Sequence, residues 1–109
     1  MPRVFVIQET TKHNLLPAQS FGDLVFLLPP MVQIAFSPGP IVVRIERELR
    51  AFTDEDYLLL IGDPAAMAVA GALAAKHNNG RFKLLKWDKR EMKYYPIQVE
   101  VNKGERNEH

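Results

Sequence analysis

Seven cationic side chains fall within 18 residues: Lys76, Arg81, Lys83, Lys86, Lys89, Arg90 and Lys93, against two carboxylates, Asp88 and Glu91. Phe82, Trp87, Tyr94 and Tyr95 are interleaved with them. Cationic side chains pair with phosphates and release counterions, and aromatic rings on a sheet surface stack unpaired bases. This combination points to single-stranded nucleic acid, with Arg81, Lys83, Lys86, Trp87, Lys89, Arg90, Lys93 and Tyr94 as the expected contacts. The same residues also suit a solvated hairpin whose lysines protect a sheet edge and whose rings fill the core.

A second place for chemistry is Gly62-Asp63-Pro64. In open α/β sheets, ligands bind beyond the carboxyl ends of the strands and beside helix N-termini. Gly62 and Asp63 could thus contact a small nucleotide. Asp63 is equally a good helix N-cap, and a carboxylate at that place opposes a bound anion. The chain has no Gly-x-Gly-x-x-Gly and no Walker lysine motif.

The run Asp54-Glu55-Asp56 could hold magnesium, although such sites rely on substrate phosphates and few protein ligands; a solvated loop is the simpler reading. His13, His77 and His109 show no metal-ligand spacing, and His77 suits a helix end. Ser20 and Ser37 lack a nucleophile-elbow context. No catalytic set, metal site or cofactor is expected, so the chain reads as a binding protein rather than an enzyme.

These residues must be held by a framework, and its centre is residues 57–87. Tyr57 to Ile61 is a continuous apolar run, the pattern of a strand covered on both faces. Asp63 and Pro64 then fit the N-cap and N1 positions of a helix. Pro64 to His77 gives about 21 Å of helix at 1.5 Å per residue, small on almost every face, with Asn79 or Gly80 taking the left-handed cap. Arg81 to Trp87 begins a second strand, parallel to the first through a crossover.

Elsewhere, Val4 to Ile7 and Leu24 to Leu28 read as strands. Pro29-Pro30 ends the second, and Val32 to Phe36 reads as a third that completes a hairpin. Ser37-Pro38-Gly39-Pro40 is a loop leading into a helix whose apolar positions are Ile41, Val42, Ile45, Leu49 and Phe52. After a turn at 88–91, residues 92–101 alternate as a half-buried strand, with Pro96 placing it at an edge. Residues 102–109 are polar and are expected to fray. The fold class is therefore α/β: a single domain over 1–109, a mixed β-sheet with two helices, one βαβ unit and a C-terminal β-hairpin.

The chain has 109 residues, 47% hydrophobic and 25% charged, ordinary values for one globular domain. It contains no cysteine, which excludes disulfides and thiolate metal sites. The net charge of +1 is uneven. Residues 1–75 carry five basic and eight acidic side chains, a balance of −3, and residues 76–109 carry nine and five, a balance of +4. No apolar run is long enough to span a membrane, and the apolar run after Arg3 is too short for a signal peptide. An intracellular, cytoplasmic protein is expected.

Asp56 to Pro64, Asn79 to Asp88 and the opening Met1 to Ile7 are similar to segments of small uncharacterised proteins encoded by tailed bacteriophages. The resemblance implies expression in the cytoplasm of an infected bacterial host and assigns no catalytic residues. Binding of nucleic acid or of host machinery is what it suggests. The expected partners are thus nucleic acid, a host protein, or a second copy of the chain in a homo-oligomer, with no membrane.

Overall fold

The computed structural model describes residues 1–11 and 13–101. The tail 102–109, expected to fray, lies outside the described residues. Five strands and two helices follow in order: β1 (Arg3–Gln8), β2 (Asp23–Leu28), α1 (Pro38–Leu49), β3 (Tyr57–Leu59), α2 (Pro64–His77), β4 (Arg81–Asp88) and β5 (Lys93–Glu100). They form one mixed sheet in the order β2-β1-β3-β4-β5. The first four strands are parallel and β5 is antiparallel to β4. The chain is α/β, as its sequence implies.

The central βαβ unit forms as expected. β3 and β4 pair in parallel at Leu58↔Leu84 and Leu59↔Leu85. Asp63 caps α2 by accepting a hydrogen bond from the Ala65 N–H at 3.0 Å, and Pro64 occupies the first helical position. At the other end Asn79 and Gly80 both take positive φ, 56° and 83°, and the Gly80 N–H closes the helix on the Ala75 carbonyl. A β-carbon at Gly80 would lie 2.5 Å from the Val101 carbonyl oxygen, so that position needs glycine on both counts. Ala66, Ala70 and Ala74 are wholly buried. Their small size lets the helix lie close to the strands.

Both helices pack on one face with Phe5, Ile7, Leu27, Ile45, Leu49 and Leu58. The connection from β1 to β2 crosses the opposite face as a short 3-10 helix, Leu16–Ser20, whose Ala18 joins Val4, Val6, Leu59 and Leu85. Right-handed crossovers that travel in opposite directions from β1 must lie on opposite faces. The strand order therefore dictates this division.

The expected hairpin of Leu24–Leu28 with Val32–Phe36 does not form. β2 pairs with β1 alone, at the sheet edge, and Ile34–Phe36 is a single 3-10 turn. Pro29-Pro30 and Met31, at φ 70°, divert the chain. The Gln8 amide then holds it by donating to the carbonyls of Pro29 and Val32 at 3.0 and 2.6 Å. Three further differences are local. α1 begins at Pro38, because Pro38 and Pro40 sit in a first turn that uses no N–H donors. β3 ends at Leu59, and the chain leaves the sheet at Leu60 and Ile61. β5 is exposed along most of its length rather than half-buried, because α1 and α2 pack over the other strands and the short 3-10 helix Leu16–Ser20 covers little of it; Tyr94 is its one buried residue.

Candidate nucleic-acid interface

β3 stops pairing with β4 at Leu59↔Leu85, yet β5 accompanies β4 from Arg81↔Glu100 to Asp88↔Lys93. The ribbon from Lys86 to Lys93 thus runs on with no third strand beside it, as a two-stranded arm. Its turn is built locally. The Met92 N–H donates to the Asp88 carbonyl at 2.8 Å. Asp88 Oδ1 accepts from the N–H groups of Arg90 and Glu91. The Asp88 carboxylate therefore serves the turn.

The eight expected contacts are not on one face. Side chains alternate along β4 and β5. Leu84 faces the helices and Leu85 the opposite side, so Lys86 and its partner Tyr95 lie on the helix side, with Lys93. Lys83, Trp87 and Tyr94 lie on the other. Arg81 is paired with Asp54, Nε to Oδ1 at 3.1 Å, and this bond holds the Asp54 carboxyl below its usual range and the guanidinium above its own. Lys83 lies over the Tyr57 ring at 4.3 Å. Lys76, the other cation of the stretch, is paired with Glu46 at 2.9 Å. Lys86, Lys89, Arg90 and Lys93 are left on the arm, exposed and without an ion pair among the described residues. Lys93 rests over Tyr95 at 5.0 Å.

Trp87 is half-buried at the root of the arm. Its ring meets Tyr94 edge to face, with centroids 4.8 Å apart. Tyr94 is 7% exposed, and burial pushes its phenol up from the ordinary 10.0. Beside the pair, where Leu60 and Ile61 leave the sheet and β4 runs on, a cavity of about 620 Å³ opens. Leu59, Ile61 and Leu85 line it, with His13 and Asn14 at one side and Lys86 at the other. Sequence reasoning did not find this cavity, because it depends on where β3 ends.

The Gly62-Asp63 corner lies where the strand order reverses, between β1 and β3, beside a crevice of about 490 Å³. Its polar groups already serve the fold. Asp63 Oδ1 caps α2, Asp63 Oδ2 accepts from the Ile34 N–H at 2.8 Å, and the Asp63 N–H donates to Gln8 Oε1 at 2.9 Å. Gly62, at φ 114°, sits so close that a β-carbon would lie 2.4 Å from that of Gln8. Gln8, which ties both loops together, is a residue that the pattern of an apolar strand does not single out.

The acidic run also separates. Asp54 binds Arg81 and Asn78, Glu55 is exposed, and Asp56 is buried. Among the described residues no group of three or more metal-ligating side chains could hold an ion, and no helix is long and apolar enough to cross a membrane.

Residues 2–101 match the family model described as Phage Pam3 gp32-like protein. The chain belongs to the Phage Pam3 gp32-like protein family. The match spans both the arm and the Gly62-Asp63 corner, and it bears out the resemblance to phage proteins read from Asp56–Pro64 and Asn79–Asp88. No curated protein and no solved structure matches the chain.

Proposed function

We propose that this phage-family protein is a non-catalytic binding protein of the infected cell's cytoplasm that contacts single-stranded nucleic acid through the β4–β5 arm. The observation that carries this reading is the set of four exposed cations, Lys86, Lys89, Arg90 and Lys93, that form no ion pair among the described residues and outnumber the segment's two carboxylates, Asp88 and Glu91. Cations on such a ribbon exchange counterions for phosphates. Arg81 and Lys83 stand behind the arm, and their engagement with Asp54 and Tyr57 makes them supports for it. The test is a titration of a labelled single strand at several salt concentrations. Tight binding at about 50 mM salt that weakens steeply with added salt supports the reading; no binding there removes it.

A second reading, self-association or docking on a host protein, is favoured by a different observation. Leu60 and Val101 are exposed apolar residues beside the alanine-lined side of α2, and Tyr95 and Ile97 are exposed on the helix-side face of β5. Light scattering separates the two: a strict monomer that binds the strand favours the first. A nucleotide at Gly62-Asp63 ranks third, because both Asp63 carboxylate oxygens already accept hydrogen bonds. A thermal-shift screen of nucleotides tests it.

A further inference from the structure

We propose that the cavity at the root of the arm receives one unpaired nucleobase, stacked against Trp87 and hydrogen-bonded by the Tyr94 hydroxyl, with its phosphate held by Lys86. The inference rests on the nucleic-acid reading of the arm and names what the arm would do with one nucleotide.

Three observations lead to it. Tyr94 is more than nine-tenths buried, and its hydroxyl has no hydrogen-bond partner among the described residues. Among the described residues no sealed side-chain polar atom lacks a partner, so that oxygen keeps access to solvent, and Tyr94 is one of the residues that line the cavity. A hydroxyl that water reaches can exchange that water for an acceptor on a ligand. At neutral pH it is a donor, and it matches the carbonyl and ring-nitrogen acceptors of a base.

The second observation is shape. The cavity, about 620 Å³, falls within the roughly 300–1,000 Å³ of small-molecule sites, and its lining is mainly apolar: Leu59, Ile61, Leu85 and the Trp87 ring. An occupant needs a flat, largely apolar body and few polar groups. Bases splayed from single strands meet that need, and proteins hold them on aromatic rings.

The third is charge. Lys86 lines the cavity, and it also lines the neighbouring depression with Lys89, Arg90 and Asp88, whose Oδ1 is engaged by the turn's N–H groups, so three cations stand there against one carboxylate. The occupant is therefore joined to an anion, and the next anion along lies over the tip of the arm. A base, its phosphate and the following phosphate have that arrangement.

Trp87 is the chain's one tryptophan, so its emission reports on this site alone. The full chain is titrated at about 50 mM salt with a short oligothymidylate and with an abasic strand of equal length and charge. The oligothymidylate is expected to quench Trp87 and to bind at least about fivefold more tightly than the abasic strand. Tyr94→Phe keeps the ring and its packing. It is expected to weaken oligothymidylate binding about threefold and to leave abasic binding unchanged. Equal affinity for the two strands with unchanged emission overturns the base pocket and leaves the arm reading standing. Failure of both strands to bind removes the arm reading and the pocket with it.

Discussion

Asp56 and Asp63 flank β3, and both carboxylates are used up by backbone donors, yet they differ in how visible they are. Asp56 is 1% exposed. It accepts from the Arg3 N–H at 2.9 Å, from the Arg3 guanidinium at 3.1 Å, and from the N–H and hydroxyl of Thr53 at 2.8 and 3.0 Å. It thereby fastens the start of β1 to the loop before β3. The Arg3 guanidinium also donates to the Ala51 carbonyl at 2.7 Å. Asp56→Ala should cost about 2–3 kcal/mol, since hydrogen bonds to a charged group are the stronger kind and the N–H groups of Arg3 and Thr53 lose their partners. Asp63→Ala should cost less, about 1–2 kcal/mol, for a lost cap and a freed Ile34 N–H. Urea unfolding of the two variants checks the order. The cap at Asp63 was readable because a Gly-Asp-Pro corner before an alanine run is a local signal. The role of Asp56 was not, because two of its four bonds come from Arg3, 53 residues away, and its neighbours Asp54 and Glu55 made it look like part of a solvated acidic loop.

At the scale of elements, the sequence announces what local chemistry builds and hides what pairing decides. The βαβ unit was legible from an apolar run, a cap and an alanine helix. The segment 32–36 was not, because a short apolar run has no period that separates strand from turn; Gln8 settles its path from the neighbouring strand β1. α2 depends on its small buried face, so Ala70→Leu should destabilise by roughly 1–3 kcal/mol through overpacking against the strands, as denaturation will report. The two helices are also joined by a clasp. Glu46 of α1 meets Lys76 at 2.9 Å and His77 Nε2 at 3.0 Å on α2, and these bonds hold the Glu46 carboxyl below its ordinary 4.5. A carboxylate whose value is depressed by folding contributes stability that is present above the unfolded value and lost as pH falls through the folded one. The wild-type midpoint should therefore fall more steeply than that of Glu46→Gln as pH drops below 4.5. Equal slopes in that window would show that the clasp contributes nothing. Asp54, also depressed by Arg81, keeps a residual acid dependence in both proteins.

For the whole molecule, the question is what the uneven charge is for. The sequence gives an excess of cations after residue 75, but counting them overstates the surface on offer. Lys76 and Arg81 are neutralised by Glu46 and Asp54, and Lys83 is drawn onto Tyr57; only three-dimensional pairing separates these from Lys86, Lys89, Arg90 and Lys93. The distinction is measurable. A single strand that engages Z cations loses affinity with a log–log salt slope of about −0.7Z, so four arm cations set a slope of about −3. All seven would set one near −5. Lys89→Ala with Arg90→Ala should bring the slope to about −1.5 and weaken all sequences alike. The unfolding midpoint should stay in place, because both side chains are exposed and form no ion pair among the described residues. Arg81→Ala should do the reverse, lowering stability through the loss of its Asp54 bond while leaving the slope near −3. A slope that changes with Arg81 and not with Lys89 and Arg90 would move the binding surface off the arm and onto the body of the sheet.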